Sequence, residues 1–447
     1  MSSTATVNVT ELLGSRAMGR VQIGIVVLCA LSALLDGYDL QVIGLAAPAI
    51  VHTLRIPMAD MGSIFSAALA GLAIGSFGLG PLSDRLGRKK VLIAATLCFG
   101  ACTLATALAR SLDTLLLARL LTGFGLGGAI PSFIALASEY TPQRQRAVVV
   151  ALLWAAFPLG GMLGGLLGSW LIPHCGWQWM FWVGGMLPMV IAALQAGWVP
   201  ESVGYLVYSG APSDRIAALL SRVSGREISP QARFVLGEER APGGRVGQLF
   251  SHGRAWGTLL LWISCFVAYM QLVTNSAWSP TLLSRVGVPV PQSALAMAAF
   301  NFGSLLGTSA AGWLLTRLGG ATLLPLTLVG TLVAYGLVGY SAPSVDIIIM
   351  LESFIGLFLG ATTGALIAVS TLYYPAPIRS SGVGWSMGMG RVGSFLGPLV
   401  VGALVGRGWT VAAIFALVAA PALIAAVTAG LIPRHDDGTS IGSATTE

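Results

Sequence analysis

Charge is scarce in this chain of 447 residues. Only 9% are Asp, Glu, Lys or Arg, against roughly 25% in a typical soluble domain, which excludes an ordinary soluble fold. Cysteine is also scarce. Cys29, Cys98, Cys102, Cys175 and Cys265 sit mostly inside apolar runs, which excludes a disulfide framework. The four histidines fall in no metal-ligand spacing. No nucleophile–base set and no phosphate-binding loop stands out, so nothing supports an enzyme. Apolar and polar residues do not alternate over stretches of about 10, as a membrane barrel requires. Residues 1–19 are mostly polar, and the first apolar run is long enough to span a bilayer, which predicts no cleavable signal peptide.

What the chain has is apolar length. Hydrophobic residues make up 55% and glycines number 58, with a mean hydropathy of +0.83. Apolar runs of roughly 20 residues read as helices, which satisfy their own backbone in lipid. Close helix packing there favours glycine. Spans are expected at 21–48, 60–81, 90–109, 113–138, 147–172 and 178–199, then at 255–280, 292–316, 321–340, 346–370, 378–404 and 409–432. The expected fold is an all-α membrane protein of twelve transmembrane helices, built as two pseudo-symmetric six-helix bundles. The chain divides into a tail (1–20), an N-terminal bundle (21–199), a linker (200–254), a C-terminal bundle (255–432) and a second tail (433–447). The linker is polar, reads as a tether and carries one short amphipathic helix at 213–223.

The net charge of +7 is a matter of topology, not of nucleic acid binding. Eighteen of the 24 Lys and Arg residues fall in the termini, the linker and the loops on their side, including Arg16, Arg226, Arg240, Arg245 and Arg434. Four, Arg55, Arg110, Arg285 and Arg407, fall on the other side. The positive-inside rule makes the termini and linker cytoplasmic, in a cell (inner or plasma) membrane.

The two bundles repeat each other. Arg119-x3-Gly123-x3-Gly127 and Glu352-x3-Gly356-x3-Gly360 are offset by 233 residues, as are Pro142 and Pro375, and Arg146 and Arg379. Gly80-Pro-Leu-Ser-Asp84-Arg85-Leu-Gly87 recurs as Gly312-Trp-Leu-Leu-Thr316-Arg317-Leu-Gly319. Duplicated carriers of this type bind solute near the midplane, between the repeats.

Charges inside the spans cost about 2.5–3.5 kcal/mol each at a helix centre, so each needs a reason. Asp36 and Asp39 of Leu35-Asp36-Gly37-Tyr38-Asp39 share a helix face at i,i+3. Two close carboxylates resist ionising together, which suits proton coupling, with Asp39 the favoured proton carrier; capping a kink at Gly37 or pairing with arginine is the structural alternative. The equivalent position in span 7 is Gln271. Arg119 is a partner for a span 1 carboxylate, for a substrate anion, or for headgroups by snorkelling. Glu139 is placed to pair with Arg85 or Arg146, as a gate or as plain structure. Arg391, near mid-span among Gly388, Gly390 and Gly393, reads as a bidentate anchor for a carboxylate or as a partner of Glu352. Tyr38, Trp154, Phe157, Tyr269, Trp278, Phe300, Phe302, Phe354, Phe358 and Trp385 are compatible with a flat aromatic anion beside Arg391. Singly, each reads rather as ordinary packing or a lipid-facing belt residue. Gln271, Asn275 and Asn301 are candidates for its hydroxyl groups. Asp84, Arg85, Arg88, Lys89 and Lys90 form a charged turn suited to holding one conformation shut, and with Glu139 and Arg146 they are the candidate gate.

The Gly80–Lys90 loop, Arg119-x3-Gly123 and Pro200-Glu201-Ser202 resemble the signatures of the major facilitator superfamily. Asp36-Gly37-Tyr38-Asp39, with Gly382-Val-Gly384 and Gly390-Arg391-x-Gly393-x3-Gly397-Pro398, resembles its aromatic acid:proton symporter family. The resemblance covers roughly residues 20–432. It implies uptake of benzoate-like or hydroxylated aromatic carboxylates with protons as coupling ion and no cofactor. It implies roles for Asp36, Asp39, Asp84, Arg119 and Arg391, in a chain expected to function as a monomer. Thr316 stands where the repeated loop expects an acid. Other organic anions such as quinate, shikimate or a dicarboxylate suit Arg391 equally. A membrane sensor or enzyme is the alternative of another class.

Overall fold

The computed structural model describes residues 6–9, 12, 18–225, 227–235, 246–251, 253–340, 344–375 and 378–432. Arg16, Arg226, Arg240, Arg245, Arg434 and the tail 433–447 lie outside the described residues. Twelve helices are long and apolar enough to span: span 1 Arg20–Leu54, span 2 Met58–Leu86, span 3 Arg88–Ala107, span 4 Leu112–Tyr140, span 5 Gln143–Cys175 and span 6 Gln178–Trp198 form the first half. Span 7 Ala255–Arg285, span 8 Val290–Leu318, span 9 Gly320–Gly339, span 10 Val345–Tyr373, span 11 Arg379–Gly406 and span 12 Val411–Gly430 form the second. The structure extends several expected spans by a turn or more, because polar end residues continue the backbone ladder past the apolar stretch. Span 12 is broken between Ala419 and Pro421, since proline has no N–H and its ring clashes with the preceding turn.

The repeated glycines are packing surfaces. A Cβ on Gly123 or Gly127 of span 4 would strike the backbone of Ala68 or Leu72 in span 2, and one on Gly71 or Gly75 would strike Leu120 or Phe124. In the second half, Gly356 and Gly360 of span 10 meet Phe300 and Ser304, while Gly303 and Gly307 of span 8 meet Ser353 and Leu357. The two halves thus build the same reciprocal seam from small residues. Gly37 has a comparable role. Span 1 runs through it without a break, and Phe157 of span 5 lies against it, while Gly160 of span 5 receives Leu34.

The linker is more than a tether. Helix Ser213–Ser224 buries Ile216, Ala217, Leu220 and Val223 in a cluster that includes Val149 of span 5 and Val203 of the linker itself. Residues Thr6–Asn8 pair in parallel with Arg233–Val235, so the segment before span 1 and the linker meet on one side of the bundle, called here the linker side.

The halves join on the opposite, far side. Asn301 of span 8 donates to Gln41 of span 1 at 2.8 Å, Gln41 donates to the Ser276 carbonyl at 3.5 Å, and Ser66 donates to the Phe395 carbonyl at 2.8 Å. Phe65 sets its ring edge-on to Trp278, with centroids 5.4 Å apart. Gly44 seats on Ser276 and Ala277, Gly62 on Pro398 and Gly402, and Gly165 on Ala294 and Ala298. On the linker side, Gly78 and Gly80 of span 2, Gly312 of span 8, and Gly384 and Gly388 of span 11 have no such neighbour. The conformation is closed on the far side and open on the linker side.

Candidate functional site

Span 1 delivers its two carboxylates to different partners. Asp39 is 3% exposed and meets Arg119 of span 4, itself completely buried. The guanidinium grips it with two bonds, Nη1 to Oδ1 at 3.2 Å and Nη2 to Oδ2 at 2.5 Å. Thr103 of span 3 adds a long bond at 3.5 Å, and Phe181 of span 6 lies 5.8 Å from the Arg119 charge. Arg119 therefore neither snorkels nor faces a solute: a buried cation needs its carboxylate, and it has one.

Asp36, one turn earlier, makes no ion pair among the described residues. Its electrostatic partner across the divide between the halves is Arg391. Arg391 lies about 12 residues into span 11, roughly 18 Å from its linker-side end at 1.5 Å per residue. Its side chain is exposed, although both halves surround it, and it makes no hydrogen bond among the described residues. Tyr269 of span 7 packs on Gly390 and lies within electrostatic reach of Arg391. The centre thus holds an unsatisfied guanidinium, a carboxyl group and an aromatic ring. A planar fork of this kind accepts a carboxylate through two parallel bonds. No Arg391–Glu352 pair forms.

Several expected lining residues are turned elsewhere. The Tyr38 hydroxyl donates to the Met180 carbonyl at 3.0 Å, and its ring fills the space beside Gly184. Gln271 donates to the Val418 carbonyl at 2.8 Å, serving the backbone where Pro421 interrupts span 12. Asn275 donates to Glu352 at 2.8 Å inside the second half. Asn301 belongs to the far-side closure described above. Trp385 stacks on Trp262, with centroids 5.7 Å apart, instead of facing Arg391. Trp278 and Phe300 are fully buried packing.

The charged turn on the linker side is built around Glu139, but with different partners from those expected. Arg88, not Arg85 or Arg146, pairs with Glu139 at 3.1 Å, and Arg88 also reaches Asp84 at 3.5 Å. Glu139 further accepts from Ser202 Oγ at 2.6 Å and from the Gly204 N–H at 2.5 Å. Arg85 and Arg146 form no ion pair among the described residues. Glu201 accepts from the Lys89 N–H at 2.9 Å and the Ser202 N–H at 3.0 Å, so a carboxylate caps the start of span 3 where orphan donors gather. Gly87, at φ +105°, makes room for it; a side chain there would collide with Glu201. Pro200-Glu201-Ser202 is thus a clasp that ties the end of span 6 to the turn between spans 2 and 3.

Sequence reasoning missed Gln41 and Ser66 as closure residues and Glu352 as the centre of a polar cluster. Uncharged residues in apolar helices carry little signal, though Gln41 lies one turn from Gly37 and Glu352 is itself a charge within a span.

This arrangement has relatives. The family model described as Major Facilitator Superfamily matches residues 29–289 and 260–446. A gallate transporter of Pseudomonas putida is 35% identical over 434 residues, covering 95% of this chain and 94% of its own. A 4-hydroxybenzoate transporter of Pseudomonas putida is 33% identical over 437 residues, covering 96% and 97%. In fold, the crystal structure of a D-xylose–proton symporter superposes with a TM-score of 0.74 at 17% identity, over 92% of this chain and 98% of that one. The chain is a multi-pass membrane protein that belongs to the major facilitator superfamily and, within it, to the aromatic acid transporter family.

Proposed function

We propose that this protein imports a small aromatic carboxylate together with protons, by alternating access across the cell membrane with the linker side cytoplasmic. One observation carries this proposal: Arg391 stands unpaired in the middle of the molecule, opposite Asp36. Ionised Asp36 competes with a solute for the guanidinium. Protonated Asp36 leaves Arg391 free to grip a carboxylate. Proton and anion thus favour each other's binding, and the proton gradient drives an anion against a negative interior. Tyr269 offers a flat surface beside the guanidinium. On the external side, loading precedes closure of the Gln41–Asn301 seam. Once the linker side is open, as here, loss of the proton to the cytoplasm restores the Asp36 charge, which displaces the anion. No cofactor enters this cycle, and one chain contains the whole path, consistent with a functional monomer.

The gallate and 4-hydroxybenzoate carriers, similar along nearly the whole chain, support a hydroxylated benzoate as solute. Membrane vesicles with labelled 4-hydroxybenzoate and gallate test this. Accumulation should follow an inward proton gradient and collapse on adding an uncoupler. Uptake indifferent to the uncoupler removes proton coupling, and no uptake of either acid removes the substrate class.

A further inference from the structure

Glu352 has no place in the cycle above. It lies seven residues into span 10 from the far side and is completely buried. Asn275 donates to Oε2 at 2.8 Å and Ser279 bonds Oε1; both belong to span 7 and both are neutral. Among the described residues no cation pairs with it. The titratable groups within electrostatic reach of Arg391 are Asp36 and Tyr269. Spans 8 and 11, which also pack on span 10, bring no charge to Glu352. Span 9 contributes one titratable group, Tyr335, whose hydroxyl donates to the Gln271 carbonyl at 3.3 Å. A bare carboxylate in such a pocket costs far more than taking up a proton. A protonated carboxyl is both donor and acceptor. Asn275 Oδ1, buried and without a partner, becomes its acceptor when the amide is turned over, an assignment that hydrogen-bond logic decides.

The location of the cluster links it to the closure. Asn275 and Ser279 flank Ser276 and Ala277, on whose carbonyls Gly44 of span 1 rests and to the first of which Gln41 donates. The turn of span 7 that holds Glu352 is therefore the turn that span 1 covers when the far side is shut. Parting of spans 1 and 7 would remove that cover.

We propose that Glu352 is a second proton-binding site, whose occupation from external water is a condition for closing the far side. Resting on the alternating-access function proposed above, the site makes closure sensitive to external pH. The proton passes from water to the carboxylate while the far side is open, and the neutral acid is then buried. As external pH rises, the carboxylate persists and closure is disfavoured.

Nitroxide labels at R55C and R407C, two exposed far-side positions on opposite halves, report the far-open population of the purified full chain. With Glu352 present, the open-to-closed ratio should rise with pH, approaching about tenfold per pH unit on the alkaline limb, the limit for one proton. E352Q mimics the protonated acid, so its slope should fall by that one-proton contribution while any part due to Asp36 stays. Identical pH dependence in both proteins overturns the proposal. Wild-type protein gives a second readout without substitution at Glu352: the infrared band of a protonated carboxyl should fade as the far-open population grows, and a band indifferent to that population also overturns it. A protein whose far side never opens in either form, with no counterflow of labelled solute, instead sinks alternating access itself.

Discussion

Asp36 and Asp39 sit one helical turn apart on span 1, yet an arginine grips only Asp39, while Asp36 lies within electrostatic reach of Arg391 of the other half. The sequence reading favours Asp39 as the proton carrier, whereas the structure commits Asp39 to Arg119 and leaves Asp36 without an ion pair among the described residues. Asp39 and Arg119 neutralise each other inside the first half and fasten span 1 to span 4. In the proposed cycle Asp36 responds to proton and solute.

Removing one partner of the buried pair should cost about 3–5 kcal/mol, because the other charge is stranded. Asp39→Asn should lower the amount of folded protein and its melting temperature in detergent. The double variant D39N/R119Q should recover most of that loss. Equal stability of D39N and wild type would mean that the pair does not hold the fold.

Asp36→Asn should behave differently. It removes no ion pair among the described residues, so folded yield should stay near wild type. Its neutral side chain leaves Arg391 permanently free, so solute exchange across vesicles should persist while accumulation driven by a proton gradient is lost. Retained gradient-driven accumulation in D36N would move the coupling proton elsewhere.

The far-side seam predicts a conformational trap. A Cβ at Gly44 would lie 2.5 Å from the Ser276 carbonyl oxygen and 2.8 Å from that of Ala277. Overpacking of this kind costs about 1–3 kcal/mol, enough to shift the gate about tenfold. Gly44→Val should therefore hold the far side open: solute binding from outside is kept, net uptake falls about tenfold, and nitroxides at R55C and R407C move apart. Unchanged spacing between the labels would count against this placement of the seam.

Most of the scaffold was legible in the sequence, because apolar length is a large signal fixed by the bilayer itself. The repeat was legible too, since Gly123 and Gly356 have the same steric duty at a constant offset. Arg391 stood out because a charge at mid-span is expensive. Pairing was not legible. The sequence reading puts Asp39 ahead of Asp36 and Arg85 or Arg146 with Glu139, but those choices depend on which side chains converge from separate helices. Tyr38 and Gln271 were misplaced for a related reason. Polar atoms in an apolar helix often serve the backbone of a neighbouring span, here the carbonyls of Met180 and Val418. Conformation was likewise invisible, since the open linker side is a property of contacts between halves.

In the proposed cycle Arg391 holds the carboxylate of the solute. Equilibrium binding of labelled 4-hydroxybenzoate to purified protein, at a pH low enough to keep Asp36 neutral, measures this most directly. Two charge-assisted bonds of about 1.5–3 kcal/mol each predict that Arg391→Ala loses about a hundredfold or more in affinity. Arg391→Lys, with the charge but not the fork, should fall between. Near wild-type affinity in a well-folded R391A protein would mean that the carboxylate is held elsewhere.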